Sequence, residues 1–304
     1  MTVVILGLLG LISAVVLYFV AQKFKVYEDP RIDTVSDALP GANCGGCGYP
    51  GCRNFATALV AAETFDGLFC PVGGNANMEK IAALLGKQAV AKEPQVAVVR
   101  CNGSPEHRPR INRYDGTQTC AIIHNLYMGE TGCPFGCLGS GDCVVACTFD
   151  AMFMNPDTGL PVIIDEKCTA CGACVKACPR NIIELRKKDK KDRKIFVSCI
   201  NTEKGAVARK NCAVACIGCG KCVKVCTFDA ITMVNNLAYI DAGKCKFCRK
   251  CAPECPTGAI LEINFLPRKI REDLPPASSK TAAGTTEQTN PVEKKESPTE
   301  GNNQ

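Results

Sequence analysis

The sequence predicts an α+β chain in three parts: one helix of membrane-spanning length, a small helical cysteine-rich module, and two tandem domains of short strands and helices. Three observations carry that expectation. Residues 3–21 hold no charged side chain. The 24 cysteines fall in tight blocks, whereas tryptophan is absent and aromatic residues make up only 6%. From about residue 97 onward, the second half of the chain repeats the first.

The apolar run comes first. Its 19 residues, at 1.5 Å rise each, reach about 28 Å, enough to cross the hydrocarbon core of a bilayer. A cleaved signal peptide would need a basic leader, and only Met1 and Thr2 precede the run. Lys23 and Lys25 follow it, so the positive-inside rule places the C-terminal side in the cytoplasm. Residues 1–25 are therefore expected to be an uncleaved single-span anchor.

Residues 26–95 are expected to form the helical module. Its start, residues 26–43, reads as a polar linker with Pro30 and Pro40. Cys44, Cys47, Cys52 and Cys70 then follow the spacing C-x2-C-x4-C-x17-C. The glycines among them let the backbone fold closely around a bulky ligand. Residues 53–64 read as a helix of good formers that returns Cys70 to the other three. Residues 76–93 read as a second helix, with Ile81, Leu84 and Leu85 on one face. A zinc knuckle is the rival reading of this cysteine set.

In Cys216-Ile-Gly-Cys219-Gly-Lys-Cys222-Val-Lys-Val-Cys226, three cysteines stand two residues apart and a fourth follows after three more. That is the bacterial ferredoxin spacing for 4Fe-4S ligation, in which the fourth cysteine reaches the neighbouring cluster of a pair. The spacing recurs at Cys168, Cys171, Cys174 and Cys178, and at Cys245, Cys248, Cys251 and Cys255. The repeat extends past the cysteines. Val99-Arg-Cys101 matches Val197-Ser-Cys199, Thr119-Cys120-Ala matches Asn211-Cys212-Ala, and Thr148-Phe-Asp-Ala matches Thr227-Phe-Asp-Ala. Residues 96–188 and 189–267 are thus expected to be duplicated ferredoxin-like halves, each with a hairpin between its two cysteine runs. Asn235-Asn236 suits a tight primed turn, and residues 155–159 a longer one.

The ferredoxin crossover then groups the ligands. Cys147 joins Cys168, Cys171 and Cys174; Cys178 joins the other first-half set. Cys226 joins Cys245, Cys248 and Cys251, and Cys255 joins Cys216, Cys219 and Cys222. In the first half, position 140 is serine where the repeat predicts cysteine, and Cys133 is extra. Cys133 is expected to replace the missing ligand, beside Cys137, Cys143 and Cys178. Cys101, Cys120, Cys199 and Cys212 remain, as equivalent pairs from the two halves. They either meet at a pseudo-twofold axis and hold a sixth cluster, or stay as free thiols or a zinc site. The expectation is six 4Fe-4S clusters, and at least five.

This ligand chemistry limits function. Thiolates that bind iron must stay reduced, which argues against a disulfide framework. Iron held by four cysteines has no open position, so it suits one-electron transfer rather than bond chemistry, and no catalytic residue is expected. No Gly-rich dinucleotide fingerprint follows a strand, which places nicotinamide and flavin sites on other subunits. His107 and His124 read as ordinary polar residues. Arg186, Lys187, Lys188, Lys190, Lys191, Arg193 and Lys194 form a basic run, read either as a solvated loop or as a docking surface for an acidic redox partner. Without interleaved aromatic residues it does not suit nucleic acid. Residues 268–304, poor in apolar side chains, read as a disordered tail.

The apolar span, the Asn43-Cys44-Gly-Gly-Cys47-Gly-Tyr-Pro-Gly-Cys52 module, the ferredoxin runs and Lys204-Gly-Ala-Val-Ala-Arg-Lys-Asn-Cys212-Ala-Val-Ala-Cys216 closely resemble the iron–sulfur B subunit of Rnf complexes, over residues 1 to about 265. The resemblance implies a bacterial inner-membrane complex that couples ferredoxin oxidation and NAD⁺ reduction to Na⁺ or H⁺ transport. In it, this chain would accept electrons from reduced ferredoxin, with membrane-embedded and NAD- or flavin-binding subunits as partners. Two other readings stand beside it: an anchored polyferredoxin serving a hydrogenase or dehydrogenase, and a zinc-binding scaffold.

Overall fold

Helix α1 (Thr2–Lys23) is apolar on every side, so it has no polar face to offer water. It is the one helix among the described residues that is long and apolar enough to cross a membrane. The computed structural model describes residues 2–23 and 29–267; Lys25 and the expected tail at 268–304 lie outside the described residues.

Three helices build the next module: α2 (Arg31–Ala38), α3 (Cys52–Ala61) and α4 (Gly74–Leu85). The expected linker at 26–43 therefore contains a helix. Pro30 presets the first turn, the Asp29 carboxylate accepts the N–H of Arg31 at 2.9 Å, and Ile32 and Val35, one turn apart, bury against Phe55, Leu59, Phe65, Met78 and Ile81. Helix α4 ends sooner than its composition suggests, because Gly86 turns left-handed at φ 64°. Leu84 consequently points outward while Ile81 is fully buried. Lys87 donates to the carbonyls of Leu59 and Val60, neutralising the C-terminal end of α3.

Two domains of the same plan follow. In the first, β1 (Gln95–Val99) pairs antiparallel with β4 (Ile183–Lys187), and between them run the hairpin β2 (Met152–Met154) and β3 (Pro161–Ile163). In the second, β5 (Lys194–Val197) pairs with β8 (Ile260–Ile263) around the hairpin β6 (Ile231–Val234) and β7 (Leu237–Ile240). Asn235 (φ 46°) and Asn236 (φ 61°) are both left-handed, the primed turn expected from sequence. Short helices carry or precede cysteines: α5 (Cys120–Leu126), α6 (Asp142–Val145) and α7 (Ala173–Ala177) in the first domain, α8 (Gly205–Asn211), which Cys212 follows, and α9 (Lys221–Lys224) in the second. Each core packs its strand residues on cysteines. Ala97, Met152, Ile182 and Ile183 surround Cys137, Cys143 and Cys174, and Val197, Ile231, Ile240 and Ile260 surround Cys216, Cys222 and Cys251.

The basic run includes a partly solvated loop, with Lys190 and Lys191 exposed, but five of its seven charges are paired within the chain. Lys194 and Asp165 form a buried ion pair at 2.6 Å. Arg186 pairs with Glu184 at 2.6 Å and donates to the Ile240 carbonyl across the domain boundary. Arg193 pairs with Asp189 and stacks over Phe247 at 5.1 Å. Lys187 pairs with Glu93, and Lys188 with Asp192. Arg100 adds a tie, reaching Glu184 and the carbonyls of Val197 and Cys199. These residues form a seam that joins the two domains.

Removing one partner of the buried pair leaves an uncompensated charge. Asp165→Ala is expected to cost about 3–5 kcal/mol, read as a fall in the unfolding midpoint under anaerobic conditions. Glu93→Ala, at an exposed pair, should barely move it. Equal effects would contradict the seam.

Candidate metal centres

A ligand set must face one object from several sides, so the chain has to curl. In each three-cysteine loop, the residues flanking the second cysteine are left-handed: Ala170 and Gly172, Gly218 and Gly220, Phe247 and Arg249. Gly139 and Gly141 do the same around Ser140, so that loop keeps the curl without the cysteine. Side chains other than glycine pay strain in this region, and here neighbours hold them. Arg249 pairs with Glu262 at 2.7 Å and lies 4.8 Å over the Phe265 ring. Phe247 packs against Phe265 and beneath Arg193.

Four of the expected groupings come together. Burial raises the Cys70 thiol, with Cys47 and Cys44 adding to the rise, and Cys52 packs into the same core. The Asn43 amide oxygen accepts the Cys52 N–H at 2.8 Å, pinning the start of α3 beside the loop. Burial pushes Cys174 up to about 12, and its raising neighbours are Cys168, Cys171 and Cys147. Burial likewise pushes Cys251 up to about 12 beside Cys245 and Cys248, and Cys245 feels Cys226. Cys216, Cys219, Cys222 and Cys255 line one small cavity.

The first-half set departs from expectation. Burial pushes Cys137 up to about 12, and the neighbours that add to it are Cys101 and Cys120. Burial pushes Cys143 up to about 11 beside Cys178 and Cys120. One small cavity is lined by Cys120, Cys137, Cys143 and Cys178, and not by Cys133. The cause is Asp142, which sits in the loop that lacks a cysteine. Its two oxygens accept the N–H groups of Cys120 (2.8 Å) and Ala121 (3.1 Å), tying the start of α5 to that loop. Cys133 lines another small cavity with Cys101, Cys199 and Cys212, and it also borders a larger cleft beside Cys137.

The donor sets fit 4Fe-4S clusters. All 24 cysteines are free. Backbone N–H groups already point at sulfur, as from Gly73 to Cys70 at 3.3 Å. Buried polar atoms without a protein partner border the cysteine cavities: Arg108 Nε, Arg180 Nε, Thr169 Oγ1 and Ser198 Oγ. Cluster and cysteine sulfur would accept from them. Among the described residues, no three His, Cys, Asp or Glu side chains converge tightly enough for a single metal ion. Tetrahedral zinc needs sulfurs only about 3.8 Å apart, given its 2.3 Å bonds. Gly46 meets Cys171 so closely that a Cβ on it would stand 2.9 Å from the Cys171 carbonyl oxygen, which sets the N-terminal module against the first domain.

Comparison with known proteins gives consistent matches. Residues 39–67 match a family model described as "Putative Fe-S cluster", residues 161–184 a 4Fe-4S binding domain, and residues 215–259 a 4Fe-4S dicluster domain. The chain is 45% identical over 256 residues to the B subunit of the Na(+)-translocating ferredoxin:NAD(+) oxidoreductase complex of Acetobacterium woodii, covering 84% of this chain and 75% of that protein. It is 41% identical to the B subunit of the proton-translocating ferredoxin:NAD(+) oxidoreductase complex of Clostridium ljungdahlii, covering 86% and 92%. It is 39% identical to the B subunit of the ion-translocating oxidoreductase complex of Methanosarcina acetivorans, covering 85% and 96%.

Asp142→Ala leaves two N–H groups at the start of α5 without their acceptor and releases Cys120 from the loop. Iron in the anaerobically purified chain should fall by up to about four atoms, one cluster's complement. Asp142→Asn, which keeps an acceptor, should lose less. Full iron content in Asp142→Ala would show that Cys120 needs no such tie.

Proposed function

This chain belongs to the B-subunit family of ion-translocating ferredoxin:NAD(+) oxidoreductase complexes, and from that membership we propose that it is the membrane-anchored subunit that takes electrons from reduced ferredoxin and relays them within such a complex. The observation that carries this reading is the gathering of cysteines in fours, most of them partly or fully buried, around curled loops. When bound, 4Fe-4S clusters supply reversible one-electron transfer with no open coordination position.

The chain's own residues then have separate tasks. Cys44, Cys47, Cys52 and Cys70 hold the N-terminal cluster. Cys147 with Cys168, Cys171 and Cys174, and Cys120 with Cys137, Cys143 and Cys178, serve the first domain. Cys226 with Cys245, Cys248 and Cys251, and Cys255 with Cys216, Cys219 and Cys222, serve the second. Residues 96–188 and 189–267 are read as duplicated halves, which the recurrence of paired outer strands around an inner hairpin supports. Strand residues such as Ile183 and Ile260 keep water from the sulfurs. Arg180, buried beside Cys133, Cys137 and Cys178, offsets negative charge there.

Helix α1 anchors the chain, and Lys23 at its end favours a cytoplasmic position for the cysteine domains. Nicotinamide, flavin and the ion path are assigned to partner subunits. The relatives' names divide between Na⁺ and protons, so membership selects no ion.

The test is the anaerobically purified full chain mixed with reduced ferredoxin. Bleaching of its visible absorption and new EPR signals are expected, with at least about 20 iron atoms for five clusters of four. A colourless or zinc-loaded chain would overturn the reading. Removal of residues 2–23 should move the chain from the membrane fraction to the soluble one.

A further inference from the structure

We propose that Cys101, Cys133, Cys199 and Cys212 hold a sixth 4Fe-4S cluster across the seam between the two domains, an inference that rests on the iron–sulfur reading above. They line one small cavity, as Cys216, Cys219, Cys222 and Cys255 do, and the two cavities match in volume; the ferredoxin spacing defines the second grouping. Two cysteines come from each domain. Cys101 follows β1, Cys133 comes from the segment after α5, Cys199 follows β5, and Cys212 caps α8.

The surroundings suit sulfur and negative charge. The Asn201 N–H donates to Cys199 Sγ at 3.4 Å, and the side-chain nitrogen of the same buried Asn201 donates to Cys133 Sγ at 3.8 Å. The Cys137 N–H donates to Cys101 Sγ at 3.4 Å. Arg100 and Arg108 both line the cavity. Arg108 is buried and its Nε has no protein partner, as is also true of Ser198 Oγ beside Cys199. Gly103 keeps the space open: a Cβ there would stand 3.4 Å from Cys212 Sγ and 3.3 Å from Arg108.

The exchange of Cys120 and Cys133 accounts for all 24 cysteines. Asp142 fastens Cys120 in the place that Ser140 vacates, and the segment that follows α5 delivers Cys133 to the seam. There Gly132 packs against Asn211, next to Cys212. The site also adjoins the cysteine groups of both domains, since Cys101 Sγ accepts from the Cys137 N–H and Cys199 accepts from the Cys216 N–H.

The test counts iron and acid-labile sulfide in the full chain purified without oxygen. The unaltered chain should carry about 24 iron atoms, and Cys199→Ala and Cys133→Ala should each lose about four. The double variant Cys133→Ala/Cys199→Ala should also lose about four, because both residues serve one site, whereas Cys120→Ala/Cys199→Ala should lose about eight. A double loss of about eight for Cys133 and Cys199 would return Cys133 to the Cys137 set and overturn the proposal. So would about 20 iron atoms in the unaltered chain, or zinc in their place, a measurement that needs no variant to fold. A chain wholly without iron would instead sink the functional reading beneath it.

Discussion

Sulfur ligands must reach one small object from several directions, and the backbone satisfies that demand with left-handed residues. The same two positions turn left in every three-cysteine loop, whether glycine or a bulkier side chain occupies them. Where Phe247 and Arg249 take the strained conformation, an aromatic pair and an ion pair with Glu262 offset it. The short helices follow from the same demand. A turn such as α7 or α9 is too short to persist alone, but it carries the third cysteine back toward the cavity.

Gathering sulfur in the interior creates an electrostatic demand as well. Buried thiols resist ionising, as the rise at Cys137, Cys174 and Cys251 makes plain. Metal binding must therefore drive the loss of those protons, which couples folding to cluster insertion. Buried cations and N–H groups ease the cost. Arg108 and Arg180 are buried beside cysteines, and Arg100, largely covered, lines the same cavity as Arg108.

Much of this was legible in the residue order. The cysteine spacing located four ligand groupings, and Asn235-Asn236 located a hairpin turn, because both signals are local. What escaped depends on contacts distant in sequence. Residues 31–38 look like linker until Ile32 and Val35 find Phe55 and Ile81. Cys133 is nearer in sequence to the gap at Ser140 than Cys120 is, yet the Asp142 carboxylate holds the start of α5, and Cys120 with it, beside that loop. The spacing D-C at 142–143 was visible, but nothing local said that Asp142 would cap α5. The burial at the ends of the basic run was not legible because the acidic partners there, Asp165 and Glu184, lie outside it.

The Lys194–Asp165 contact has one more implication. Mobile counter-ions screen charges at the surface over about 8 Å at physiological salt, but they scarcely reach a pair that water does not. The grip between the domains is therefore insulated from ionic strength. As the surrounding salinity rises or falls, the separation between the sulfur-lined cavities on either side should hold constant.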